Sequence, residues 1–221
     1  MKLLFSGNDY IHKVLVVAHE AGVLDQLEFV VNNPVGADEI IWDYSPLGKH
    51  PVLVLDDGLT LFSGLLACEY LDSLGPGPHL FPRDETRWRA LTEMVLGDGL
   101  FDAVSALSID ALKPPAHRVA DTMMRNRRRI IGALDEMEAA ARQFAENAFH
   151  IGHICFAGGL SFLDLRRPMQ KLLIDETDAT FDWRVVRPHL HQWYDAVIER
   201  PSLKLRPADL GIVGTEKPTS A

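Results

Sequence analysis

The spacing of apolar residues changes partway along the chain, and the change divides it. Over residues 1–74 the apolar positions come mostly in short runs. Lys2 to Phe5 reads as a strand, ending at Ser6-Gly7-Asn8-Asp9, a cluster that must turn. From Tyr10 onward Ile11, Val14, Leu15, Ala18 and Leu24 fall at helical spacings, and Gly22 near the end serves as a C-cap. Leu27 to Val31 is a second strand, and Asn32 to Tyr44, with Pro34 and Gly36, is a loop with room for one short helix. Pro51 to Leu55 is a short β-branched run, hence a buried strand. Asp57-Gly58 supplies a hairpin turn and Leu59 to Phe62 the return strand. Ser63-Gly64 then opens a helix through Leu65, Leu66, Cys68, Glu69, Tyr70 and Leu71. Residues 75–83, with Gly75-Pro76-Gly77-Pro78, have the composition of a linker, and beyond them strand signals stop. Helical periodicity covers Asp84 to Leu112, closed by Pro114-Pro115, and Val119 to Ala145, where Ile130, Leu134, Met137, Ala141 and Phe144 form a stripe. It returns over Gly152 to Arg167 and over Val186 to Arg200, where Pro201 ends it. A polar tail occupies residues 208–221.

Strand, helix, strand, then strand, strand, helix is the order of a thioredoxin-like α/β domain. Its parallel half needs a helical crossover and its antiparallel half only a hairpin. An all-α helical-bundle domain follows over residues 84–207. The 221 residues are 47% hydrophobic, enough for a substantial core. A net charge of −9 argues against a nucleic-acid partner or an anionic membrane surface. Cys68 and Cys155 sit in apolar helical runs without a CxxC or metal-ligand spacing, so buried reduced thiols are expected. With neither a signal-type start nor an apolar run of membrane-spanning length, the expected location is the cytoplasm.

The segment Ser45-Pro46-Leu47-Gly48-Lys49-His50-Pro51-Val52-Leu53, followed by Leu61-Phe62-Ser63-Gly64, resembles the glutathione-binding half of the glutathione S-transferases. That family carries N-P-x-G-K-V-P-x-L there, then an acidic residue and a serine opening a helix. The helical half is similar to bacterial members too, in Gly97-Asp98-Gly99-x-x-Asp102, Leu163-Asp164-Leu165-Arg166, Arg187-Pro188-x-Leu190, Trp193-Tyr194 and Arg200-Pro201-Ser202. The resemblance therefore spans residues 1–202. It implies the two-domain transferase fold and glutathione as co-substrate. It also implies a small hydrophobic electrophile as second substrate and a two-fold homodimer with Phe62 and a face of the first long helix as candidate contacts.

Such an enzyme must lower the pKa of a thiol that is mostly protonated at neutral pH. Similar bacterial proteins place the thiolate donor in S-x-x-S-P-[YF]-x-R-K. Here the stretch reads Ser6-Gly7-Asn8-Asp9-Tyr10-Ile11-His12-Lys13, one residue shorter, with Asn8 nearest the donor serine and Asp9 in place of the proline. Asn8 is the first candidate and Ser6 or Tyr10 the alternatives; Asn8-Asp9 can equally serve as a helix cap. The resemblance implies a cis Pro51 and main-chain pairing of the ligand at His50. Lys49 is either a partner of the glycine carboxylate or a solvated lysine, and His50 either a satisfied histidine or a substrate contact. At the anion site Gly64 keeps a helix-start N–H but lacks the hydroxyl, and Ser63 lacks the carboxylate that meets the ligand ammonium. Each lost bond to a charged group is worth about 1.5–3 kcal/mol. A non-catalytic or differently liganded protein on the same scaffold is thus the alternative reading. A thiol–disulfide oxidoreductase finds no cysteine near the first helix start.

On the first long helix Trp88, Leu91, Val95, Asp98 and Asp102 share one stripe, read as a second-substrate wall or as the place where the helix leaves the core. Arg125, Arg127, Arg128 and Arg129 read as a solvated face rather than an anion site. His150-Ile151-Gly152-His153 stands where the family places a Ser/Thr-x-x-Asp capping box. Histidine is a poor cap, so about 1 kcal/mol of helix-start stability is expected to be missing. No third ligand is evident beside the two histidines, so no metal is expected.

Overall fold

The computed structural model describes residues 1–6, 8–32, 40–76, 79–144 and 149–210, with the backbone alone at 8–11 and 207–208. Gly7, the Pro34–Gly36 loop and the tail beyond Leu210 lie outside the described residues. The chain divides into two compact units, Met1–Arg83 with Arg200–Ala221, and Asp84–Glu199.

In the first unit β1 (Lys2–Phe5), α1 (Asn8–Glu20), β2 (Glu28–Val31), β3 (Val52–Val54), β4 (Thr60–Leu61) and α2 (Gly64–Leu74) follow in order. The sheet runs β2-β1-β3-β4. β1 pairs parallel with β2, Leu3 opposite Phe29, and antiparallel with β3, Leu3 opposite Leu53. β3 pairs antiparallel with β4, Leu53 opposite Leu61. This is the thioredoxin-like arrangement: α1 makes the crossover a parallel pair requires, and a tight hairpin suffices for the rest. In that hairpin Gly58 takes φ 89° and the Asp57 carboxylate accepts the Leu59 N–H at 2.9 Å. Leu3, Leu4 and Phe5 are buried, and Leu4 packs with Ile41 and Val52. Val14 to Ala18 of α1 are all buried, and α1 packs on α2. Gly22 adopts φ 72° just past the helix, as a C-cap should. Leu24, expected to extend the helix, therefore falls in a separate 3-10 turn, Leu24–Gln26.

Arg200 to Leu210 belongs with this unit, although the sequence reading carries the helical domain to residue 207. Pro201 opens a further short helix, α8 (Pro201–Lys204), where a stop was expected; proline is suited to a first helical position. Glu20 of α1 accepts from Arg200 Nη2 at 3.0 Å and from Ser202 Oγ, and a His12 ring nitrogen lies 3.1 Å from the Leu203 carbonyl.

The second unit is helical: α3 (Arg87–Leu112), α4 (Ala120–Ala141), α5 (Ile151–Arg166), α6 (Pro168–Leu172) and α7 (Pro188–Val197). α3 and α5 cross closely because Gly97 and Gly152 stand at the contact. A Cβ on Gly97 would lie 2.5 Å from the Cys155 carbonyl carbon, and one on Gly152 2.7 Å from Glu93 Cβ. Leu100, Leu107, Ile154, Phe156 and Leu160 fill the core around this crossing. α5 is closed by Arg167, which takes the left-handed φ 45° of a helix C-cap, and Pro168 opens the next helix. The short α6 that follows was hidden in the sequence by that same proline. Cys68 and Cys155 are buried and not joined in a disulfide, and among the described residues no helix is long and apolar enough to cross a membrane.

Two readings need correction here. Arg127 does not belong to a solvated face. Its Nε donates to Asp178 Oδ1 at 3.0 Å, and Asp178 is fully buried, so this arginine neutralises an internal carboxylate. His150 does cap α5: its Nδ1 accepts the Gly152 N–H at 3.2 Å. A neutral imidazole with an unprotonated Nδ1 offers the lone pair a serine hydroxyl would, so the cap is present in another chemical form.

Candidate functional site

The end of β1, the residues leading into β3 and the first turn of α2 meet in the first unit. Ser6 follows β1 directly, and its Oγ lies 3.1 Å from His50 Nδ1. The His50–Pro51 peptide is cis, as the sequence reading expects. A Cβ on Gly64 would stand 3.5 Å from Pro51 Cγ and 3.4 Å from Lys13 Cε, so the α2 N-terminus abuts Pro51 and the Lys13 side chain from α1. Ser6, His50, buried Pro51 and the Ser63-Gly64 start of α2 thus lie next to one another, although they come from separate elements.

The Ser6–His50 contact has a chemical consequence. If Ser6 donates, its hydroxyl hydrogen is spent on the imidazole. With the imidazole proton on Nδ1, His50 donates instead and the Ser6 hydroxyl hydrogen can point to a ligand sulfur. Asn8 and Tyr10 start α1, but their side chains lie outside the described residues.

Ser63 has extended backbone angles, φ −160° and ψ 141°, and its Oγ accepts the Leu65 N–H at 3.1 Å. It is the N-cap of an 11-residue helix, so this end carries the positive pole of the helix dipole. Lys13 adds a second positive element that the reading of candidate residues passed over. The signal was in the sequence, where Lys13 matches the last lysine of the S-x-x-S-P-[YF]-x-R-K pattern. Lys49 is exposed, beside Gly48, which takes φ 57° beneath the Trp42 ring. The positive φ favours glycine, and a Cβ there would sit 2.3 Å from a ring carbon of exposed Trp42, which would have to move.

The α3 stripe belongs to the second unit. Trp88 is 75% and Val95 63% exposed, Asp102 is exposed, and Leu91 and Asp98 are intermediate. The buried stripe of α3 is instead Ala90, Glu93, Met94, Gly97 and Leu100. Glu93 on that stripe was missed, although its spacing from Ala90 and Gly97 placed it there. It receives Arg89 Nε on Oε1 at 3.0 Å, and its Oε2 lies 3.4 Å from His150 Nε2. Burial pushes the Glu93 carboxyl above its ordinary range despite Arg89. Burial, with the Arg89 charge adding to it, lowers the His150 imidazole to about 4, so it is neutral near pH 7.

Comparison with known proteins agrees with this geometry. The family described as Glutathione S-transferase, N-terminal domain, matches residues 9–74. The uncharacterized GST-like protein YibF of Escherichia coli K12 is 27% identical over 206 residues, 91% of this chain and 96% of that protein. A glutathione transferase family member from Pseudomonas fluorescens Pf-5, crystallised with bound glutathione, is 32% identical. The match covers 91% of this chain and 96% of that one, with a TM-score of 0.78. A glutathione S-transferase from Methylobacillus flagellatus, also with glutathione bound, is 28% identical with a TM-score of 0.79, over 92% and 96% of the two chains. From its strand order, its Pro51 segment and relatives matched along nearly their whole length, this chain belongs to the glutathione S-transferase family.

Proposed function

We propose that the protein binds glutathione on its first unit and transfers the glutathione thiolate to a small hydrophobic electrophile in the cytoplasm. The observation that carries this reading is the adjacency of Ser6, His50, Pro51 and the Ser63-Gly64 start of α2. The two carboxylates, the cysteinyl main chain and the sulfur of the tripeptide each have a candidate partner here, whereas Ser63 offers the γ-glutamyl ammonium no carboxylate. The α2 N-terminus and Lys13 attract the γ-glutamyl carboxylate. The main chain at His50 pairs with the cysteinyl unit, and exposed Lys49 is positioned in sequence for the glycine carboxylate. Ser6, polarised by His50, donates to the sulfur. Asn8 is the second candidate for that last role. Stabilising the anion is the catalytic task, because the thiolate is the nucleophile. The relatives crystallised with glutathione support the choice of ligand.

The electrophile needs an apolar surface, and the exposed α3 stripe with Trp88, Leu91 and Val95, flanked by Asp98 and Asp102, is the one we assign to it. The second reading, a scaffold that holds a different ligand, draws on one specific observation. Ser63 spends its oxygen on capping α2, and Gly64 has no hydroxyl. Calorimetric titration with glutathione, paired with conjugation of a generic chlorinated aromatic, separates the two. Weak saturable binding with slow conjugation that Trp88→Ala impairs through KM supports the transferase. Absence of binding at millimolar glutathione favours the other ligand.

A further inference from the structure

We propose that Glu93, His150 and His153 form a binding site for a divalent transition-metal ion of the zinc class. The site lies wholly in the helical unit, at the start of α5 where it crosses α3, and is independent of the glutathione reading.

Glu93 is 5% exposed, and its Oε2 has no hydrogen-bond partner among the described residues. That atom faces His150 Nε2 at 3.4 Å. Two ligands about 2.1 Å from a tetrahedral zinc ion stand about 3.4 Å apart, so this pair already has the separation an ion would impose. The His153 ring stacks on His150, with centroids 3.9 Å apart and planes at 24°. Donor atoms of all three residues lie within 4.8 Å of one another. Gly152 makes the cluster possible, since any side chain there would collide with Glu93 Cβ and hold α5 off α3. Arg89 grips the other carboxylate oxygen, the outer contact that orients a one-oxygen ligand.

The donor set selects the ion. Two imidazoles and one carboxylate suit Zn²⁺, Co²⁺ or Ni²⁺, whereas Ca²⁺ and Mg²⁺ want oxygen shells and Cu(I) wants sulfur. Three protein ligands leave a fourth position for water, and the His150 side chain, 19% exposed, gives the ion its way in. Coordination asks the stacked rings to splay until their in-plane lone pairs converge. It also puts the imidazole proton of His150 on Nδ1, so the Gly152 N–H gives up its bond there. The ion thus replaces a histidine cap with a metal bond at the same helix end.

The test uses the full chain, dialysed against EDTA and titrated with Co²⁺, then with Zn²⁺ as competitor. One Co²⁺ per chain should bind, with the intense visible absorption of four-coordinate cobalt, and Zn²⁺ should bleach it. His150→Ser keeps a capping oxygen while removing a ligand, so it should fold and lose affinity. Its loss should exceed the roughly 10–100-fold typical of an outer-contact change. Glu93→Gln should do the same, and His191→Gln, half-buried against Trp183 on α7 and outside the cluster, should bind as the parent does. Absence of Co²⁺ and Zn²⁺ binding by the parent would overturn the proposal. So would parent-like binding by His150→Ser and Glu93→Gln.

Discussion

Rebuilding the anion site tests how much of the ligand affinity this chain has given up. The perturbation is Ser63→Asp together with Gly64→Ser. The first change retains the capping role, because the introduced carboxylate accepts the Leu65 N–H as the Ser63 hydroxyl now does at 3.1 Å. The second fits, because a Cβ built on Gly64 meets its nearest neighbours, Lys13 Cε and Pro51 Cγ, at 3.4 and 3.5 Å, ordinary contact distances. The double change therefore adds a partner for the ligand ammonium and a hydroxyl for its carboxylate while sparing the helix start. Both positions are only partly buried, so the lower end of the range for charged hydrogen bonds applies, about 1.5 kcal/mol each. Together these make about 3 kcal/mol, or roughly a hundredfold in Kd. Calorimetric titration at physiological salt, with melting temperatures recorded in parallel, measures it. An unchanged Kd in a variant that melts like its parent would refute this account of positions 63 and 64.

Three further outcomes are expected. Ser6→Ala should lower kcat of conjugation more than it weakens glutathione binding, because the donor acts on the anion; if Asn8→Ala does so instead, the donor is Asn8. Burial raises the Glu20 carboxyl, but hydrogen bonds from Arg200 and Ser202 and the Arg200 charge outweigh it, leaving the group below its ordinary 4.5. A depressed carboxyl contributes stability above its unfolded pKa and loses it as pH falls through the folded value. Melting temperature against pH should therefore drop below about pH 4.5 in the parent, and less steeply in Glu20→Gln. That variant should cost about 1 kcal/mol at pH 7, Arg200 being partly solvated; equal slopes would contradict the pairing. Light scattering at micromolar concentration should give a dimer, Phe62 being 38% exposed for an apolar contact, and a monomer would contradict it.

The parts of the fold that depend on local pattern were legible. β1 was bounded at Lys2 and Phe5 by its apolar run, and the Asp57-Gly58 turn and the Ser63 cap announced the hairpin and α2. What escaped depends on partners far away in sequence. Arg127 looks solvated until Asp178, 51 residues on, is folded beneath it. His150 is the local exception: its partner Gly152 is two residues on, and it looks like a damaged cap only because an imidazole nitrogen, not a hydroxyl, accepts the N–H. Glu93 has no meaning beside the two histidines until the Gly97 and Gly152 contacts bring α3 against α5. At the glutathione surface, the Ser6–His50 contact joins residues 44 apart, which no spacing rule reveals.

The proposed transferase chemistry rests on Ser6, backed by His50, stabilising a glutathione thiolate. Its most direct measurement is the ultraviolet thiolate absorbance of glutathione bound to the unmodified protein, titrated across pH. The bound thiol should ionise well below the roughly 8.5 of a free thiol, and Ser6→Ala should return it toward that value. A bound thiol that titrates like free glutathione would contradict it.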